Sequence, residues 1–251
     1  MGTDMITSIS YSTDNGETWT TTNNTNDKEE NLTVTVNVTE SDKVLWKGDA
    51  QQTGFNDYEY GLVGSFFSST CEFNVEGNVM SLLYGDDFIG EDTLEYEGQF
   101  AYLFYDINLE NECKVVNANN LSLPATTLAT DCYSGMFQNC TSLVTAPVLP
   151  ATTLTATTNC YNSMFQNCTS LVTAPKLPAT TLVSFCYNSM FYNCTSLNYV
   201  KAMFTTTPSS FYTADWVKGV ASSGTFVKNS AARWSVTGVD GIPTGWAVVT
   251  E

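Results

Sequence analysis

The second half of the chain contains one block of sequence three times, at 123–148, 149–176 and 177–200. Each copy opens with LPATTL and contains MFxNCTSL, where x is Gln or Tyr. The leucines that open the copies lie 26 and 28 residues apart. A repeat of this length is too short for a pair of packed helices. The pattern predicts short units that stack, because one such unit cannot bury its own apolar stripe.

The spacing within a copy predicts its local structure. In the first copy, apolar side chains from Cys132 to Cys140 recur at helical intervals, which favours a short helix. Asp131 is a candidate cap for this helix, as is Asn159 in the second copy, whereas Phe185 takes the position in the third. The SLVTAP segment that follows tolerates β-structure and ends at proline, which predicts a short strand paired in parallel with its equivalents. The predicted fold class is an α/β solenoid, a right-handed leucine-rich repeat coil of short parallel strands and short helices.

The repeat weakens on both sides of these copies. Leu103 and Phe104 precede the first LPATTL and stand where the regular copies have Met-Phe, which predicts a degenerate terminal coil. Beyond residue 200 the period is lost, and four aromatic residues are predicted to close the open end: Trp216, Phe226, Trp234 and Trp246. The predicted division is an N-terminal antiparallel β region at 1–50 and a solenoid at 51–251, composed of degenerate coils (51–122), three regular repeats (123–200) and a C-terminal cap (201–251).

These motifs resemble the BspA-type leucine-rich repeats of bacterial surface proteins, in particular the cysteine-containing LPATTL variety of gut Bacteroides and their phages. The tail at 200–249 and the lead-in FNVEGNVMSLLYGDDF at 73–88 resemble the same family. The resemblance implies a solenoid fold and an adhesion-type protein at the bacterial cell surface or secreted, with a phage virion protein as the alternative. The start MGTDMITSIS lacks the regions of a secretion signal, so this location is expected from the resemblance alone.

Six of the eight cysteines fall into two registers of the repeat. Equivalent positions of stacked units lie about 5 Å apart, within disulfide reach, but three cysteines per register leave one over. Sites with four thiolates normally contain CxxC pairs, and this chain has none. The sequence favours structural ladders of buried thiols, with some disulfide pairing as the alternative, and Cys71 and Cys113 fit neither register. The ladders are Cys132, Cys160 and Cys186, and Cys140, Cys168 and Cys194.

One asparagine of each repeat precedes Cys-Thr and so matches a glycosylation sequon. Its identical position in every copy favours a structural role, with its side chain bonding free backbone groups at a turn. These residues are Asn139, Asn167 and Asn193.

The formal charge of −17 belongs to the first half of the chain. Residues 1–112 carry 22 acidic residues and three lysines, whereas residues 113–251 carry four acidic and six basic residues. Such an acidic protein repels phosphate and anionic lipid, so neither nucleic-acid binding nor membrane insertion is predicted. The chain has no histidine, which excludes histidine-based triads and zinc sites with histidine ligands. We predict no catalytic residue, metal or cofactor, and hence no enzyme.

The first half predicts β-structure. The run ITSISYSTDNGETWTT at 6–21 predicts a hairpin around Asn15-Gly16, and it matches the S-x-D-x-G-x-x-W hairpin. Alternation in NLTVTVNVTE (31–40) and in KVLWKGDA (43–50) predicts two more strands. The acidic run from Asp86 to Asp92 is a solvated loop in the simplest interpretation and a calcium loop in the alternative.

These features predict a non-catalytic binding or structural module with a repeated Ser, Thr and Tyr surface for a protein or glycan partner. The less favoured alternative is a carbohydrate-active hydrolase that uses two carboxylates of the first half. The sequence leaves the oligomeric state open. The predicted binding residues, near the exposed face of the SLVTAP strands, are Thr145, Pro147, Thr173, Pro175 and Tyr199.

Overall fold

The computed structural model describes residues 8–23, 34–49, 66–105, 113–154 and 158–251. Within these residues the regular elements are short, and turns make up most of the repeated region. The helices are α1 (Ser81–Tyr84) and α2 (Ser210–Thr213), and a 3-10 turn covers Gly85–Asp87. The strands are β1 (Ser8–Ser12), β2 (Thr20–Asn23), β3 (Leu45–Gly48), β4 (Phe73–Asn78), β5 (Val115–Ser122), β6 (Tyr199–Ala202), β7 (Thr225–Lys228) and β8 (Ala247–Thr250).

The first sheet is antiparallel, with the strand order β2-β1-β3. The predicted hairpin around Asn15-Gly16 is confirmed, and both of these residues adopt positive φ. The Asp14 carboxylate accepts hydrogen bonds from the Thr18 side chain and backbone and from the Ser12 hydroxyl, which lower the pKa of Asp14 to about 2. The hairpin turn is therefore held together by a charged carboxylate.

The two other strands predicted in this region have different outcomes. The KVLWKGDA strand is confirmed as β3, which pairs with β1. The strand predicted at 31–40 is wrong over 34–39, where the structure has no strand, and positions 31–33 lie outside the described residues. Alternating valines do not form a strand here because, in the described residues, their backbone has no sheet edge to pair with.

The first sheet contacts the rest of the protein through Trp46. Its ring centroid lies 5.1 Å from that of Phe67, which packs in turn on Phe104, and its carbonyl accepts a 3.3 Å hydrogen bond from Ser81 Oγ. Beyond this contact, β4 and β5 pair in parallel and lie beside the first repeat.

Turns occupy the segments where short helices were predicted, because every fourth residue is left-handed. The φ angle is 53° at Asp131, 60° at Gly135 and 61° at Asn139. A right-handed helix requires negative φ at every residue, so it cannot pass through these positions. Asp131 and Asn159 are therefore turn residues and not helix caps. The equivalent left-handed residues of the other repeats are Asn159, Ser163 and Asn167, and Phe185, Ser189 and Asn193.

Backbone hydrogen bonds leave these turns in two alternating directions. One set closes turns inside a repeat, such as the 2.9 Å bond from the Ser134 N–H to the Asp131 carbonyl. The other set joins neighbouring repeats, such as the 3.1 Å bond from the Tyr133 N–H to the Cys160 carbonyl. Every second N–H from 131 to 139 donates to the next repeat, so the backbone itself holds the repeats in register.

Aromatic rings continue this register through the core. The rings of Tyr133, Tyr161 and Tyr187 stack with centroids 5.8 and 5.9 Å apart, and each ring is buried. A second row of rings runs beside the tyrosines and begins in the degenerate copy, where Phe104 stacks on Phe137. This contact confirms the predicted alignment of Leu103-Phe104 with the Met-Phe pairs of the regular repeats. This row consists of Phe104, Phe137, Phe165 and Phe191, at centroid distances of 5.1, 5.6 and 5.8 Å.

The last segment covers the third repeat with a parallel sheet in the order β6-β7-β8. Trp216 is fully buried and packs against Tyr187 and Phe191 of that repeat. Its indole N–H donates a 2.9 Å hydrogen bond to the Gly241 carbonyl, so the polar atom is satisfied. The other three predicted plug residues, Phe226, Trp234 and Trp246, are buried as well.

The predicted fold class, a right-handed α/β solenoid of the leucine-rich type, is wrong. The described strands form three small separate sheets and no solenoid, and α-helix is limited to the single turns α1 and α2. The SLVTAP strands are reduced to single bridging residues at Thr145 and Thr173. Each has a proline two residues later, which supplies no N–H to extend the pairing.

Candidate binding face

A row of polar side chains crosses the parallel pairings of the structure. Asn74 of β4 is paired with Asn117 of β5, and Asn117 is bridged to Thr145 of the first repeat. Side-chain hydrogen bonds follow the same path, from Asn117 Nδ2 to Asn74 Oδ1 at 2.8 Å and from Thr145 Oγ1 to Asn117 Oδ1 at 3.0 Å. The row is therefore oriented by its own hydrogen bonds.

The row resumes in the second repeat, at Thr173. Thr173 is bridged to Tyr199 of β6, and Tyr199 is paired with Thr225 of β7. The first and second repeats are joined four residues before Thr145, where the Thr141 carbonyl accepts hydrogen bonds from the Ser170 N–H and the Thr169 hydroxyl. We call these six residues the polar row: Asn74, Asn117, Thr145, Thr173, Tyr199 and Thr225.

A groove of about 330 Å³ lies at the β4–β5 end of the polar row. Four of its lining side chains are amides, each with both a donor and an acceptor group. Asn119 and Asn120 are exposed, and no bond from their side chains to another residue holds them in place in the described structure. We call this cavity the amide groove, and its lining residues are Asn74, Val75, Glu76, Asn117, Asn119 and Asn120.

The single carboxylate of the amide groove is neutralised locally. Glu76 Oε1 lies 2.6 Å from Lys43 Nζ, although both side chains are more than half exposed and the pair adds little to stability. The nearby Glu72 accepts a 3.0 Å hydrogen bond from Ser142 Oγ of the first repeat. The groove is thus polar with little net charge, which suits a ligand that is recognised by hydrogen bonds.

The five predicted binding residues are only partly brought together. Thr145, Thr173 and Tyr199 all belong to the polar row, with Thr173 exposed and the other two half-buried. Pro175 is half-buried. Pro147 is buried between Leu143 and Leu149 in the sequence, and it cannot present its ring to a partner.

The sequence analysis missed the asparagines of the groove, although a signal was present. Asn117 and Thr145 both precede an LPATTL motif, but they lie 28 residues apart, two more than the 26 residues that separate those two motifs. Aligning VVNANNLSLPATTL with SLVTAPVLPATTL at the shared LPATTL places Asn119 opposite Thr145, so the alignment indicates the asparagine-rich segment of the groove but misses Asn117 by two residues.

The cysteines form the two predicted columns, with one addition. In the first column, Cys132, Cys160 and Cys186 are buried side by side with the tyrosine stack. In the second, Cys140 is joined by a disulfide to Cys113, which had been assigned to no register. Their separation of 27 residues lies between the repeat spacings of 26 and 28. Burial raises the pKa of Cys186 to about 12 and that of Cys132 well above its usual value, so these thiols are chemically inert.

The three asparagines before Cys-Thr have a structural role, but it differs from the predicted bonding to backbone groups. Asn167 Nδ2 donates to Asn139 Oδ1 at 2.6 Å, and Asn193 Nδ2 donates to Asn167 Oδ1 at 3.1 Å. Each also has left-handed φ, which asparagine tolerates better than most residues. The side chains thus form a ladder across the three repeats.

The acidic residues do not gather into a site in the described residues. Asp86 Oδ2 lies 2.6 Å from Lys47 Nζ, and the described ranges hold no group of three or more Asp, Glu or Cys side chains suited to a metal ion. The carboxyl group of Asp131 has a pKa raised to about 6, mainly by burial, but it lies in the turns of the first repeat and not in the amide groove. The helices of the described ranges are one turn long, and none could cross a membrane.

Comparison with known proteins gives no match. No family model matches the chain, and neither a curated protein nor a solved structure is similar to it at a significant level.

Proposed function

We propose that this chain is a non-catalytic binding module of a secreted or cell-surface protein, and that its polar row and amide groove take a protein or glycan partner. The observation that carries the proposal is the amide groove, which is lined by four asparagines, two of which, Asn74 and Asn117, are hydrogen-bonded into the polar row. The lining offers mainly hydrogen-bonding side chains and little apolar surface, so a ligand of this groove would have to be recognised through hydrogen bonds.

The chemistry of the groove favours a glycan over a protein partner. Each asparagine can donate to one sugar hydroxyl and accept from the next, which matches the alternating groups of a saccharide. A protein partner would be expected to find aromatic or arginine anchors, and the described lining has neither. A receptor-binding protein of a phage virion would use the same surface and remains the alternative setting.

The proposal is tested by screening the intact chain on glycan and protein arrays and by measuring the affinity of each hit. Asn117→Ala and Asn120→Ala are expected to weaken a groove ligand roughly tenfold each, because each variant removes one or two hydrogen bonds. Thr181→Ala, an exposed residue outside the groove, is the control and should leave the affinity unchanged.

Two results would count against this function. A ligand whose affinity is insensitive to both asparagine variants would bind elsewhere on the protein. Release of reducing sugars from an arrayed polysaccharide would show hydrolysis, and the protein would then not be a passive module.

A further inference from the structure

The second cysteine column contains an even number of cysteines. Cys113 joins Cys140, Cys168 and Cys194, at successive separations of 27, 28 and 26 residues. All four side chains are buried, the last three completely. Because Cys113 and Cys140 already form a disulfide, the remaining two cysteines of the column are left as neighbours.

The repeats that carry Cys168 and Cys194 are directly adjacent. The Asn167 N–H donates to the Tyr192 carbonyl at 2.8 Å, and the Phe165 N–H donates to the Met190 carbonyl at 3.0 Å. The Asn193 amide bonds to the Asn167 side chain at 3.1 Å, one residue before each cysteine. Repeats joined by such bonds lie about 5 Å apart, and a disulfide spans Cα separations of about 4.4–6.8 Å.

The sulfur atoms of the column share one orientation. Cys140 Sγ lies 4.0 Å from the Phe104 carbonyl oxygen, in the segment before its own repeat. Cys194 Sγ makes the corresponding contact with the Phe165 carbonyl at 3.0 Å, in the repeat that carries Cys168. Cys194 therefore points towards Cys168 as Cys140 points towards its disulfide partner.

We propose that Cys168 and Cys194 form a second disulfide when the chain folds in an oxidising environment, so that the column is paired as Cys113–Cys140 and Cys168–Cys194. To form this bond, the Cys168 side chain turns towards Cys194 and gives up its 3.1 Å hydrogen bond to the Phe137 carbonyl. The first cysteine column cannot pair completely in this way, because it has three cysteines. The next positions of this column, before Cys132 and after Cys186, are occupied by Gln99 and Tyr212.

The oxidant is a small disulfide such as oxidised glutathione. The Cys194 thiol loses its proton and attacks one glutathione sulfur, which releases one glutathione thiolate and leaves a mixed disulfide. The Cys168 thiolate then attacks the Cys194 sulfur and releases the second glutathione. Two protons and two electrons leave the protein, and one glutathione disulfide is reduced to two thiols.

The bond forms during folding and not afterwards. In the folded protein both thiols are buried, and burial raises the pKa of Cys168 well above its usual value and that of Cys194 to about 12. A buried, protonated thiol neither ionises nor meets an oxidant, so a chain folded under reducing conditions keeps both thiols.

The test counts thiols after folding. The full chain is reduced, unfolded and refolded with reduced and oxidised glutathione, then unfolded again in an alkylating reagent without reductant and weighed by mass spectrometry. Under the proposal, Cys194→Ala raises the number of alkylated cysteines by one relative to wild type, because Cys168 loses its partner. If Cys168 then displaces Cys113 from Cys140, the total is the same. The double variant Cys168→Ala/Cys194→Ala returns to the wild-type number.

The opposite change overturns the proposal. If both residues are thiols in the refolded protein, Cys194→Ala lowers the number by one and the double variant lowers it by two. Cys71→Ala removes an exposed free cysteine and should lower the number by one in either case, which calibrates the method. Cys194→Ser repeats the measurement with a side chain of similar shape, in case alanine disturbs folding. The outcome is independent of whether the amide groove binds a ligand.

Discussion

Asp131 is the buried acid whose replacement should stabilise this protein. Only 3% of the residue is exposed, its Oδ1 has no hydrogen-bond partner, and its Oδ2 accepts one long bond of 3.4 Å from Asn159 Nδ2. Burial raises the pKa of Asp131 from 3.8 to about 6, the Glu97 charge adds to the rise, and the Asn159 bond opposes it. Asp131→Asn introduces the residue that already stands at the equivalent position of the second repeat, with the same φ of 53°.

The size of the effect follows from the pKa difference between the folded and unfolded states. The rise in the pKa of Asp131 from 3.8 to about 6 corresponds to at most about 3 kcal/mol in the free energy of unfolding. Because the folded pKa is the higher one, this stability is fully present below about pH 4, where both states are protonated. It is lost as the pH rises through about 6, so at pH 7 Asp131→Asn should be more stable than wild type by up to about 3 kcal/mol.

Denaturant unfolding of the wild type and the variant at several values between about pH 4 and pH 7.5 measures this difference. Acidic residues far from Asp131 contribute equally to the stability of both proteins and cancel in the comparison. The gap between the two proteins should widen as the pH rises, and a gap that is constant with pH would refute the argument. The reciprocal variant Asn159→Asp should lower stability at pH 7 and steepen its loss with rising pH, because it replaces the amide donor to Asp131 with a second carboxyl group.

Three further substitutions test the packing of the repeats. Cys113→Ala opens a disulfide loop of 27 residues, and under oxidising conditions it should lower the free energy of unfolding by about 3–4 kcal/mol, measured by denaturant titration. Phe165→Ala removes the middle ring of a buried stack and should cost about 3–5 kcal/mol; a loss below about 1 kcal/mol would mean that the stack does not bear on stability. Gly135→Ala places a Cβ 2.2 Å from the Tyr102 ring and should lower the thermal midpoint of unfolding. Ser163→Ala, at the same left-handed position of the next repeat, should change this midpoint little. Equal shifts in the two variants would contradict the steric explanation.

Much of the core could be predicted from the repeat alone. The residues recurring as Cys, Met, Phe and Leu are buried in every copy, the degenerate copy aligns at Leu103-Phe104, and the aromatic residues of the last segment pack on the third repeat. This succeeds because a residue type that returns at every repeat must meet its own copies, and apolar side chains that meet are buried together.

The helix prediction failed because a helix and a series of turns that each contain a left-handed residue place apolar residues at the same spacing along the chain. Apolar residues four positions apart, such as Cys132 and Met136, occur on one face of a helix and also in successive turns with a left-handed residue at every fourth position. Phe185 is left-handed although its type disfavours it, because the neighbouring turns bond on both sides of it. Propensity could not indicate that conformation, since the repeat-to-repeat hydrogen bonds impose it.

The sequence by itself determined which residues stack, because periodicity is a property of the chain and equivalent positions meet in any regular arrangement. Only the tertiary structure decided that the stacked units consist of turns and not of helices, and which other segments of the chain pair with them. Cys113 reaches Cys140 and Asn117 reaches Thr145 across the boundary of the degenerate copy, where the spacing is irregular. Those contacts arise from backbone pairing between distant segments, and a local pattern of residue types does not encode such pairing.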